Sequence, residues 1–162
     1  KMRYFEKISF AQFKKDTADD IDLYNNYILP KRATKYSAGY DFLAINDITI
    51  KPGEIVKIPT GYKAKFNNDE ALLLMMRSGL GFKYNLRFTN QIGLIESDYY
   101  NNESNEGHMW VSIQNEGKEE ITIKKNTAYC QSVFIKFLIT DDDNATNIRK
   151  GGLGSTDRRD EK

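Results

Sequence analysis

From residue 40 onward, apolar residues recur at every second position in short bursts: Ile48 and Ile50; Tyr62, Ala64 and Phe66; Val133, Ile135 and Phe137. Successive side chains of a strand point to opposite faces, so this spacing predicts half-buried strands. Turn-forming clusters separate them, as at Lys51-Pro52-Gly53-Glu54, Thr60-Gly61, Asn67-Asn68-Asp69 and Asn115-Glu116-Gly117-Lys118. Short strands spaced about 8–12 residues apart predict an antiparallel barrel or sandwich of the jelly-roll kind. Only two places read as helix. One is an amphipathic stretch from roughly Phe5 to Lys15, and the other is a short turn beginning at Ser78, after the apolar run Leu72 to Met76. Residues 141–162 are rich in Asp, Asn, Gly, Lys and Arg and poor in large apolar groups, which predicts a flexible tail.

A chain of 162 residues is long enough to bury a core as one unit and too short for two ordinary domains. The expected organisation is a single domain over residues 1–162, with an N-terminal extension at 1–27 and the tail at 141–162. Lys1 ahead of Met2 reads as an added residue, and the terminal Arg159 to Lys162 as solvated. The 24 basic and 23 acidic residues nearly cancel, so the strongly basic footprint of a general nucleic-acid binder is missing. A small anionic ligand stays open. Cys130 is the only cysteine, which excludes an internal disulfide and any zinc site built from several thiolates. One thiol fits a reducing, cytoplasmic setting. No apolar run approaches the roughly 18 residues that span a bilayer, and the N-terminus lacks the apolar core of a secretion signal, so no membrane association is expected.

Five stretches concentrate chemistry, and each alone has a plain structural reading. AGYDFLA, residues 38–44, is either a turn entering a strand with Asp41 solvated, or the presentation of a carboxylate. MRSGLGFK, residues 76–83, sets Arg77 and Ser78 where a strand gives way to a helix, so backbone N–H groups, a hydroxyl and a guanidinium can converge on a phosphate. A glycine-rich turn with a surface arginine reads it equally well. GLIESDYY, residues 93–100, puts Glu96 in a loop where it is either a base or a bystander. AYCQSVF, residues 128–134, is a strand in which Gln131 is solvated or a ligand donor. GGLGSTD, residues 151–157, is a candidate anion nest following Arg149; it lacks the lysine and the flanking strand and helix of a P-loop.

In their order and spacing, AGYDFLA, RSGLG, NQIGLIESDY, the Gln131 strand and RKGGLGST resemble the five motifs of the trimeric deoxyuridine triphosphatases, from about Ile28 to Thr156. The resemblance implies an all-β fold, a distorted jelly-roll-like antiparallel barrel with one short helix after the second motif. It also implies a homotrimer with three shared sites, and magnesium-assisted hydrolysis of dUTP to dUMP and pyrophosphate. By the same resemblance Arg77, Ser78, Gly79 and Gln131 bind the triphosphate, and Asp41 is associated with the sugar and with hydrated magnesium. Asn90, Gly93, Leu94 and Ile95 belong to a hairpin whose backbone reads uracil, and Tyr99 stacks beneath the deoxyribose. Arg149, Gly152, Leu153, Gly154, Ser155 and Thr156 form the closing tail. A carboxylate in the third motif activates the attacking water, and that position is Glu96.

The match departs from the family in three places. Glu96 stands where aspartate is usual; its extra methylene shifts the carboxylate by about 1 Å, enough to cost on the order of a hundredfold in rate. Such a glutamate is an introduced change, a natural variant with compensating geometry, or the mark of a protein kept for nucleotide sensing. Leu153 stands where a phenylalanine covers the base, which points to a substitute lid near Asn101 to Trp110, with Trp110 or Met109 as candidates and a plain core strand as the alternative. One residue, Lys150, rather than two separates Arg149 from the glycine pair. A dCTP deaminase shares the expected fold, but Asn90, Tyr99 and the position of Glu96 fit the diphosphatase pattern better. The only histidine, His108, lies outside the motifs and reads as structural.

Overall fold

The computed structural model describes residues 2–157; Lys1 and the run from Arg158 to Lys162 lie outside the described residues. Three helices and twelve strands follow in the order β1 (Tyr4–Lys7), α1 (Phe10–Asp16), α2 (Ile21–Asn26), β2 (Lys31–Arg32), β3 (Tyr40–Leu43), β4 (Ile48–Ile50), β5 (Ile55–Pro59), β6 (Tyr62–Lys65) and β7 (Glu70–Met76). The chain continues with α3 (Ser78–Tyr84), β8 (Leu86–Phe88), β9 (Gly93–Glu96), β10 (Trp110–Asn115), β11 (Ile121–Ile123) and β12 (Ala128–Lys136), with one 3₁₀ turn at Ser97–Tyr99. The largest sheet runs β2-β3-β12-β7-β9; the others are β5-β10-β8, β1-β6 and β4-β11. Every pairing is antiparallel. The sheets enclose one core in which Phe42, Tyr62, Leu72, Phe88, Ile113 and Tyr129 are buried, each contributing about 1.5–3 kcal/mol by leaving water.

The expected antiparallel β-architecture is present, and its helix content is larger than the sequence pattern predicts. Instead of one helix from Phe5 to Lys15, Tyr4–Lys7 is a strand registered on β6, and the helix starts only at Phe10. Ser9 decides that start, because its hydroxyl accepts from the Gln12 N–H at 3.2 Å and satisfies an orphan donor of the first turn. The unforeseen α2 has the same cause: the Asp20 carboxylate accepts from the Leu23 N–H at 2.9 Å. Two short helices thus sit in the N-terminal segment besides the one after Arg77. They are fixed by packing rather than propensity. Phe13 is fully buried, stacks on Tyr27 with centroids 5.7 Å apart, and Tyr27 in turn meets Tyr62.

The alternation at Val133, Ile135 and Phe137 is real but does not mark the buried face. Ile135 and Phe137 are exposed, while Ser132 is buried and Phe134 packs on the core. A bulge between Ala128 and Cys130 explains the inversion. It places both Tyr129 and Cys130 in the core, and the inward set continues on the even-numbered residues. Gln131 consequently shares the outer face with Val133 and Ile135.

Candidate active site

Two clusters of the sequence-predicted residues form, at opposite ends of β7. At its C-terminal end, Gln131 on β12 is registered against both Asp41 on β3 and Met75 on β7, so the carboxylate and the amide are cross-strand neighbours. Arg77 leaves β7 as the N-cap of α3, and its Nη1 donates to Asp41 Oδ2 over 3.4 Å. Ser78 and Gly79 follow in the exposed first turn. Gly39 is there because nothing larger fits: a Cβ would stand 2.3 Å from Gln131 Oε1 and push that amide aside. Cys130, next to Gln131, is fully buried, and burial pushes its thiol up, so it is no nucleophile.

The second cluster is built on β9. Its register sets Gly93 opposite Leu74 and Glu96 opposite Ala71, so Ile95 faces the core while Leu94 and Glu96 face out. Before it, Gln91 takes φ 65° and the Ile92 N–H donates to the Asn90 carbonyl at 2.7 Å, turning the chain tightly between β8 and β9. The 3₁₀ turn after Glu96 carries Asp98 outward and Tyr99 inward. Tyr99 is buried, and that burial pushes its hydroxyl pKa up.

The tail packs on this second cluster. Arg149 Nη2 lies 2.7 Å from Glu96 Oε2 and Nε lies 2.9 Å from Asp98 Oδ1. Its Nη1 reaches Ser155 Oγ at 3.3 Å, and its guanidinium carbon stands 6.0 Å from the centre of the Tyr99 ring. Gly152 is buried close to Ser104, whereas Gly154, Ser155 and Thr156 are exposed. Leu153 joins Leu74, Phe88, Asn90, Gly93 and Trp110 around a cavity of about 260 Å³. Of the two lid candidates, Met109 is fully buried and cannot reach a ligand; Trp110 lines the same cavity as Leu153.

Within one chain these clusters stay apart. Six residue steps along the chain lead from Ala71, which faces Glu96, to Arg77, or about 20 Å at the rise of a strand. Sequence reasoning missed Asp98, which shares Arg149 with Glu96, and the loop residues that hold Tyr99. Asp98 stands inside the run GLIESDYY and was legible as a second carboxylate; the loop residues gave no local signal.

Comparison with known proteins agrees with this construction. The dUTPase family model matches residues 25–157. A deoxyuridine 5'-triphosphate nucleotidohydrolase of Lactococcus lactis is 44% identical over 130 residues, covering 79% of this chain and 87% of that protein. The crystal structure of the dUTPase from Streptococcus mutans superposes with a TM-score of 0.69 at 36% identity, over 85% of this chain and 98% of that one. A mutant dUTPase of Staphylococcus aureus phage phi11 has the same fold at 17% identity, with a TM-score of 0.67 over 91% and 98% of the two chains. This chain belongs to the dUTPase family.

Proposed function

We propose that this chain hydrolyses dUTP to dUMP and pyrophosphate in sites shared between copies of a homotrimer. The separation of Glu96 from Asp41, Arg77 and Gln131 carries the shared-site reading. Along β7 the level of Glu96 lies about 13 Å from that of Asp41 and Gln131 and about 20 Å from Arg77; groups so far apart cannot act on one phosphorus, so a neighbouring copy must supply the missing half. The outer face of β12 and the residues after it offer apolar surface for that copy: Ile135, Phe137, Leu138 and Ile139 are all exposed. The family and relatives matched favour neither dCTP deamination nor a purely sensing role.

In the assembled site, Arg77, Ser78, Gly79 and Gln131 hold the triphosphate of the nucleotide. The hairpin backbone at Gly93, Leu94 and Ile95, with Asn90, reads the uracil edge. Cytosine there would set a donor against a donor and leave buried groups unpaired, which discriminates strongly. Tyr99 lies under the deoxyribose and leaves no room for a 2′-hydroxyl. Glu96 takes a proton from water as the water oxygen bonds to the α-phosphorus, and the bond from that phosphorus to the bridging oxygen breaks to release pyrophosphate. Arg149, Gly152, Gly154, Ser155 and Thr156 close over the phosphates, and Leu153 with Trp110 covers the base. The setting is the cytoplasm, where a lone thiol stays reduced.

The residues fit a magnesium ion carried largely by the substrate. Among the described residues no three carboxylates, histidines or cysteines cluster as a metal cage, and Asp41 engages only the long contact from Arg77, leaving it free to hold metal-bound water. A phage dUTPase of this fold is described as coordinating a structural Mg(II) ion. When bound, magnesium supplies positive charge to the leaving pyrophosphate.

Subunit mixing tests the shared site. Glu96→Gln and Arg77→Gln copies, each inactive alone, are expected to regain dUTP hydrolysis when unfolded and reassembled together, because mixed trimers contain sites with both native residues. No recovery in trimers verified to be mixed would mean that base and phosphate ligands act from one chain, against the proposal.

A further inference from the structure

Tyr99 is held by a loop that the N-terminal segment grips at two points. Its hydroxyl donates to the His108 carbonyl at 2.7 Å and accepts from Asn105 Nδ2 at 2.8 Å, so both its hydrogen-bonding roles are filled. Asn102 donates to the Tyr99 carbonyl at 2.8 Å, and its own carbonyl oxygen orders Ser104 and Asn105. The loop is in turn fastened to α1. At the start of that helix the Ser9 N–H donates to Glu106 Oε2 at 2.7 Å, and at its end Asp16 Oδ2 lies 2.6 Å from His108 Nδ1.

The histidine tautomer follows from its two partners. Nε2 accepts from the Gly61 N–H at 2.9 Å, so the proton of the neutral ring sits on Nδ1 and is donated to Asp16. The ring is fully buried. Gly61 meets it at φ +84°, with Ile45 and Tyr27 standing where a Cβ would go, so that position takes glycine alone. Asp16 is the side-chain partner of the buried ring, and the carbonyl of His108 itself receives the Tyr99 hydroxyl. Residues before 25 lie outside the family-model match.

We propose that Asp16 and His108 are positioning residues for Tyr99, and that the N-terminal segment through them sets how strictly the site excludes a 2′-hydroxyl. This rests on the reading of Tyr99 as the sugar platform. Without Asp16 the buried Nδ1–H has no acceptor, the His108 backbone relaxes, and the tyrosine ring gains the freedom to yield to a ribose.

The informative quantity is the ratio of kcat/KM for dUTP to kcat/KM for UTP, because the fraction of folded enzyme cancels in it. Asp16→Ala is expected to lower the ratio by at least about fivefold. Asp16→Asn, whose amide oxygen still accepts from Nδ1, is expected to stay within about twofold of the parent. Tyr99→Phe should lower the ratio, and adding Asp16→Ala to it should lower it no further, since both act on one hydroxyl. An unchanged ratio in Asp16→Ala while Tyr99→Ala collapses it would overturn the positioning role and keep Tyr99 as the platform. An unchanged ratio in Tyr99→Ala as well would overturn the platform itself.

Discussion

The Arg149 guanidinium holds the Glu96 carboxylate at 2.7 Å. An arginine cannot give the same N–H groups to a carboxylate and to a phosphate, so in the proposed site a triphosphate reaching Arg149 would compete with Glu96 for it and leave that carboxylate free to take a proton. On the proposed reading the same residue would serve as a clamp on the base and as a ligand of the substrate, with Asp98 as its second anchor at 2.9 Å.

Removing the tail tests that double service. Hydrogen bonds to charged groups contribute about 1.5–3 kcal/mol each, so deleting the chain from Arg149 onward should lower kcat/KM for dUTP by roughly tenfold or more. Sedimentation should report the same assembly mass, because the apolar residues after β12 are kept. Full activity in the truncated chain would exclude the tail from the site.

The cavity beside Asn90 and Gly93 predicts the second outcome. Trp110 and Leu153 share it, and an aromatic face adds about 0.5–1.5 kcal/mol beyond simple burial. Trp110→Ala should weaken binding of a non-hydrolysable dUTP analogue by more than about twofold, and Leu153→Phe should tighten it by about threefold, as read by titration calorimetry. Unaltered affinity in Trp110→Ala with the fold intact would reduce Trp110 to a residue of the β10 strand.

Glu70 predicts how the fold responds to acid. Its side chain is buried and takes two hydrogen bonds from Arg3, one of them from Nε at 2.7 Å, and that pairing holds its pKa down to about 2 from an ordinary 4.5. A carboxylate made more acidic by folding stabilises the folded chain fully above about 4.5, and the contribution is lost as pH falls from there through about 2. Arg3→Gln should therefore lower the urea midpoint at pH 7, and the gap from the parent should shrink as the pH approaches 2. A gap independent of pH would mean that Arg3 acts by packing alone.

Much of this architecture was legible in the sequence, and the failures have physical causes. Turn clusters and two-residue periodicity marked strands such as Ile48–Ile50 and Tyr62–Lys65. Local spacing could not foresee the bulge after Ala128, so the inward face of β12 was inverted. Propensity could not foresee that Tyr4–Lys7 would pair with β6, a choice made by tertiary contact. The site residues were legible as types and as an ordered set of motifs. Their division into two clusters was not, because it depends on the length of β7 and its pairing with β9. The Asp16–His108 contact joins residues 92 positions apart, a separation at which one sequence carries no pairing signal.

The central claim is that Glu96 is the base of a dUTP-hydrolysing site, and single-turnover hydrolysis with magnesium tests it most directly. General-base removal typically costs about 10²–10⁴ in rate. Glu96→Gln should lose at least about a hundredfold in the chemical step, while its affinity for a non-hydrolysable dUTP analogue stays close to that of the parent. Glu96→Asp should keep the activity or raise it. Near-parental turnover in Glu96→Gln would contradict the account, because the proton would then be taken by another group.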